Sequence, residues 1–197
     1  KLAAGKGSSL SSEEFYAGAD AGANLNLLRN NWTQAEQAFQ QLRDFVYNDL
    51  KVYSDKVVRS YNAFIPIFEF FFHNSSATPQ DKELLKSYYY CSQLFNWYSA
   101  GTDKLLDAVH NIIARSKNAP FPLGEVKSYF GTQGKDIDLL IAHLQDVRLR
   151  FILLNLIYVE QIGHSPFDVA YKGNEPHIDH IFPKSKLSGY ATTDVNH

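Results

Sequence analysis

The chain has 197 residues, enough for one sizeable hydrophobic core with a small appendage. Its formal net charge of −2 argues against a surface that grips nucleic acid along its whole length, because phosphate neutralisation dominates such binding. A single cysteine, Cys91, excludes an internal disulfide, and no apolar run approaches the ~20 residues of a membrane span, so a reducing cytoplasmic setting without a membrane partner is expected.

Met is absent, position 1 included, and the chain is therefore expected to be an excised or processed piece of something longer. The opening Lys1-Leu2-Ala3-Ala4-Gly5-Lys6-Gly7-Ser8-Ser9 has no apolar signal core, and its small residues suit a linker. Three parts are expected: a flexible segment over 1–30, a helical domain over 31–165 and a terminal element over 166–197.

In the helical part, Trp32, Ala35, Phe39, Leu42, Val46 and Leu50 recur at three and four residues, with Thr33 and Glu36 spaced as a capping box. Residues 55 to 73 are apolar nearly all round, which predicts a central helix kinked at Pro66. Thr78-Pro79 reads as a cap and a first-turn proline opening a helix through Leu84, Leu85, Tyr88, Cys91, Leu94 and Tyr98. Thr102 is read as the cap of the next, through Leu105, Leu106, Val109, Ile112 and Ile113. Pro120 and Pro122 then interrupt the pattern before a short helix around Val126 to Phe130 and a long one from about Ile137 to Val159. Trp32, Phe39, Phe68, Leu94 and Leu153 are expected in one core.

The aromatic runs Phe68 to Phe72 and Tyr88 to Tyr90 would suit base stacking, but their helical spacing without interleaved Lys or Arg favours core packing. His73, His110, His143 and His164 are scattered singly and read as surface or capping groups. Cys91 reads as a small hydrophobe, and Asp146 with Arg148 as an ion-paired solvated face. Gly131-Thr132-Gln133-Gly134 lacks the Gly-Lys-Ser/Thr ending of a phosphate loop, so no nucleotide site is visible.

Chemistry concentrates at His177-Ile178-Asp179-His180-Ile181-Phe182-Pro183-Lys184-Ser185. A carboxylate and an imidazole stand side by side at the end of a short apolar run, and Pro183 forbids that run from continuing as a central strand. Cleavage of a phosphodiester needs such a pair: a carboxylate that holds a divalent ion, and a base that titrates near neutrality.

With Asp194-Val195-Asn196 downstream, this segment resembles the first half of an HNH, or ββα-metal, endonuclease motif. More narrowly it resembles the GmrSD-type proteins of bacterial defence, in which a nucleotide-sensing domain and a helical segment precede such a nuclease. The nuclease resemblance spans about residues 175 to 197; Ser60-Tyr61-Asn62-Ala63-Phe64-Ile65-Pro66 and Phe95-Asn96-Trp97-Tyr98-Ser99 are similar in flavour to the helical part.

The resemblance implies a mainly α, multi-helix bundle followed by the start of a C-terminal ββα-metal element. It implies a metal-dependent DNA endonuclease of the restriction or anti-phage kind, with Asp179 as ligand of Mg2+ or Mn2+, Zn2+ being the alternative, and His180 as general base. Asn196 matches the residue that braces the loop carrying the base, and His177, Lys184 and His197 are accessory candidates for metal or phosphate. DNA would meet the C-terminal motif, while nucleotide sensing and the closing helix of the nuclease would belong to other parts of a longer polypeptide. The ligand on that closing helix has no counterpart here, so the chain alone is expected not to cleave DNA although its parent does. The rival reading is a non-catalytic helical interaction module whose His177, Asp179, His180 and His197 hold a structural zinc.

Overall fold

The computed structural model describes residues 12–18, 20–117 and 119–168, and over these the chain is mainly helical with no strand. Two helices, α1 (Ser12–Ala17) and α2 (Ala21–Asn30), fall within the stretch read as a linker. They are tied by the Asn24 amide, which donates to the Phe15 carbonyl at 3.2 Å.

Helix α3 (Trp32–Asp44) follows α2 after one residue. Asn31 takes the cap position, so Thr33 is already inside the helix and the expected capping box with Glu36 is not its start. The helix then widens into a π-helical turn over Phe45–Asp49, which delivers Phe45 and Leu50 to the core. Two members of the predicted stripe stay outside it: Trp32 and Phe39 are each 61% exposed. Ala35 and Ala38 are the buried residues of α3, and their small side chains let it pack closely against the next helix. That contact centres the face on the alanines and leaves Trp32 and Phe39 on its flank.

The expected long central helix is split. Asp55–Val57 and Tyr61–Ala63 are 3₁₀ turns, and α4 spans Phe64–His73. Pro66 consequently falls in the first turn of α4, where backbone N–H groups have no intrahelical acceptor, and it needs no kink. Pro66 through Phe72 are all buried, with α3 on one side and α6 (Thr102–Arg115) on another.

Helix α5 (Pro79–Leu94) starts as expected: the Thr78 hydroxyl accepts from Asp81 N at 3.1 Å, and the Asp81 carboxylate accepts from Thr78 N at 2.9 Å. The same carboxylate accepts from Phe121 N at 3.2 Å, joining this cap to the proline-broken loop. Helix α6 is capped differently from expectation. Gly101, at φ 62°, occupies the cap position, and Thr102 is the first helical residue.

Helix α7 (Leu123–Thr132) brings Phe130 against Trp97, with ring centroids 4.3 Å apart and planes 12° from parallel. The long helix expected from Ile137 is two: α8 (Ile141–Gln145) and α9 (Arg150–Ile162). Asp146 makes the break, because its extended backbone ends α8 while its carboxylate accepts from Arg148 N at 2.9 Å.

Three buried polar side chains lock loops onto this frame. Gln93 Oε1 accepts from Arg59 N and Ser60 N at 2.6 and 2.9 Å, and its amide donates to the Ser60 carbonyl at 3.0 Å. Tyr89 donates to the Val57 carbonyl at 2.9 Å. Asn155 of α9 donates to the Leu50 carbonyl and to Tyr90, and accepts from Ser165 Oγ at 2.6 Å. Gly163, at φ 77°, ends α9, and the following turn returns Ser165 and Phe167 to the core, Phe167 edge-on to Phe151 at 5.6 Å.

Candidate functional site

Every residue singled out by the nuclease resemblance lies outside the described residues: Asp179, His180 and Asn196, and the accessory His177, Lys184 and His197. The structure describes the helical frame up to Asp168, where Ser165 and Phe167 fasten the chain to α9.

The smaller readings made from sequence can be placed. His143 is a capping group, its Nδ1 accepting from Leu140 N at 3.0 Å and its Nε2 3.1 Å from Asp136. His164 is exposed. The Arg148 guanidinium forks onto Asp146 at 2.7 to 3.1 Å and holds that carboxyl down to about 2. Cys91 packs against the core, and burial pushes its thiol up. The aromatic runs are core, Tyr88 and Tyr89 being fully buried.

One charged centre was not foreseen. His73 and His110 are not scattered surface groups: both imidazoles converge on Oε1 of Glu69, which is 1% exposed within the aromatic face of α4. His73 stands one turn further along α4 with Nε2 4.0 Å from that oxygen, while His110 Nδ1, from α6, hydrogen-bonds it directly. Burial raises the Glu69 carboxyl against the opposing pull of His110 and Lys117. The bond to Glu69 raises His110, and burial lowers His73. The sequence signal was present but slight: Glu69 is the only Asp, Glu, Lys or Arg in Phe64–His73, and His73 follows it by four positions.

Between α6 and α7 lies a groove of about 580 Å³ lined by Asn111, Arg115, Glu125, Ser128 and Tyr129 among others. The Arg115 Nε donates to the Asn111 carbonyl at 3.1 Å, and Glu125 lines the same groove. Among the described residues, no three His, Cys, Asp or Glu side chains are arranged to hold a metal ion, and no helix is long and apolar enough to cross a membrane.

Comparison with protein-family models, curated proteins and solved structures gives no match.

Proposed function

We propose that this chain provides the helical segment and the leading half of a metal-dependent HNH DNA endonuclease similar to the GmrSD-type defence proteins. The observation that carries the reading is the string Asp179-His180-Ile181-Phe182-Pro183-Lys184-Ser185 with Asn196 downstream. In it, His180 accepts the proton of the attacking water, Asn196 braces the loop that carries it, and Asp179 binds the divalent ion. When bound, that ion supplies charge stabilisation at the phosphate and at the leaving oxygen. A formal net charge of −2 is compatible with this, because contact with DNA would be confined to the motif and its Lys184.

A second reading is a helical interaction module whose C-terminal His177, Asp179, His180 and His197 hold a structural metal. It is favoured by apolar side chains left in solvent, Leu140, Ile141, Leu144 and Val147 around α8 together with Trp32 and Phe39 on α3.

The test is plasmid nicking with Mg2+ or Mn2+ by a longer protein that contains this chain. Nicking that requires the metal and falls at least ~100-fold in His180→Ala is the expected result, since a general base contributes on that order. Metal-dependent nicking that survives His180→Ala would overturn the assignment of the base. No nicking, together with zinc retained through Asp179 and His180, would favour the interaction module. The same assay on the 197-residue chain is expected to show no cleavage.

A further inference from the structure

A carboxylate buried in an aromatic core is tolerable only if its charge is answered locally. Glu69 has two imidazoles within reach, one on its own helix and one on α6, and these differ from it in access to solvent. The Glu69 side chain is 2% exposed, whereas His73 and His110 are 16% and 15% exposed, so protons can enter or leave through either ring.

The charge count follows from this arrangement. One proton shared among the three makes the centre neutral, whether it sits on His110 or on the carboxyl. Removing it leaves a bare carboxylate beside the neutral Tyr88 and Tyr98 hydroxyls, which bond each other at 2.6 Å and which burial keeps protonated. Adding a second puts two imidazoliums on one oxygen with the Lys117 ammonium acting on all three groups. Asp107 on α6 acts on His110 and offsets part of that excess. From α3 the group that reaches α4 is the uncharged Gln34 amide, which donates to the Phe72 carbonyl at 2.5 Å.

We propose that Glu69, His73 and His110 form a one-proton latch between α4 and α6, closed while the three share a single proton and loosened when a second is added or the first removed. The direction on each side follows from linkage. His110, raised above the ordinary 6.5, contributes stability that is present below 6.5 and lost as pH rises through its folded-state value. Glu69, raised above 4.5, acts in the same sense at lower pH. His73, lowered below 6.5, contributes stability that is present above 6.5 and lost as pH falls through its folded-state value. The latch is therefore tightest between the folded-state values of His73 and His110.

The experiment is a nuclear magnetic resonance titration of the histidine rings in the 197-residue chain, with urea midpoints and amide exchange over about pH 5 to 9. His110 is expected to titrate above 6.5 and His73 below it. On acidification, amides of α4 and α6 are expected to exchange faster than those of α5, in the wild type but not in His73→Gln. His110→Gln keeps a hydrogen-bond donor for the carboxylate, and is expected to lower the midpoint and to remove the alkaline arm of its pH dependence. Both rings titrating at a common value near 6.5, or a midpoint curve of unchanged shape in both variants, would overturn the latch.

Discussion

The residue whose loss should cost most for its size is Gln93. Its amide accepts from two backbone N–H groups and donates to the Ser60 carbonyl, which also accepts from Ala63 N, and Gln93 is fully buried. Leaving a buried polar group unpaired costs about 1–3 kcal/mol. Gln93→Ala should therefore destabilise the chain by at least about 2 kcal/mol, seen as a lower urea midpoint at unchanged slope. A loss under about 1 kcal/mol would mean that water takes over those bonds. Glu69 is the comparable case among charged groups, with the difference that its partners titrate. Gln93 carried no signal in the sequence, and Glu69 only the slight one of a lone charge in an apolar helix. A glutamine near a helix end and a glutamate in an apolar run acquire meaning only from what lies opposite, and Gln93 meets Ser60 across 33 positions while Glu69 meets His110 across 41.

At the scale of single elements, the local signals were informative where the governing interaction is itself local. Thr78, Pro79 and Asp81 define the start of α5 within four residues, and the structure has the capping box there, with Asp81 in the position that Glu or Gln more often fills. Gly101 shows the limit. Thr102 has the better composition for a cap, yet the chain must turn through φ 62° before α6, and glycine meets that need without strain. A Cβ at Gly101 would touch nothing within 4 Å, so Gly101→Ala carries backbone strain alone. It should destabilise by about 1 kcal/mol. Gly124→Ala, in the first turn of α7 and equally unobstructed but with ordinary φ, should instead be neutral or stabilising by about 0.5 kcal/mol. Thermal unfolding of the two variants side by side checks the pair; equal effects would show that conformation at Gly101 is not what matters.

For the whole molecule, the buried residues form one cluster, and within it an aromatic seam joins α5, the loop after it and α7. Trp97 and Phe130 are each fully buried and stacked, and the Trp97 ring N–H donates to the Asp136 carbonyl at 2.9 Å. Phe130→Ala should cost about 3–5 kcal/mol, because it opens a cavity beneath that indole. Phe39→Ala should cost under about 1 kcal/mol, its ring being mostly in solvent against Phe68. Denaturant unfolding of both distinguishes core from flank. A Phe39→Ala loss as large as that of Phe130→Ala would place the seam on α3 instead.

The sequence by itself determined the helical class, the order of the main helices, the start of α5 and the terminal Asp179-His180 motif on which the functional proposal rests. Each depends on spacing within a few residues: a period near 3.6, a cap followed at once by a first-turn proline, or two chemically matched neighbours. Tertiary structure alone decided that Ala35 and Ala38 are buried while Trp32 and Phe39 stay mostly in solvent, Phe39 touching α4 only through Phe68, and that Pro66 begins a helix instead of bending one. It also decided that Glu69 meets two histidine rings, one from its own helix and one from α6. The physical reason is common to all three. An apolar periodicity says that a face can be buried, but its width exceeds what one neighbour covers, and which part is covered depends on the helix that arrives from elsewhere in the chain.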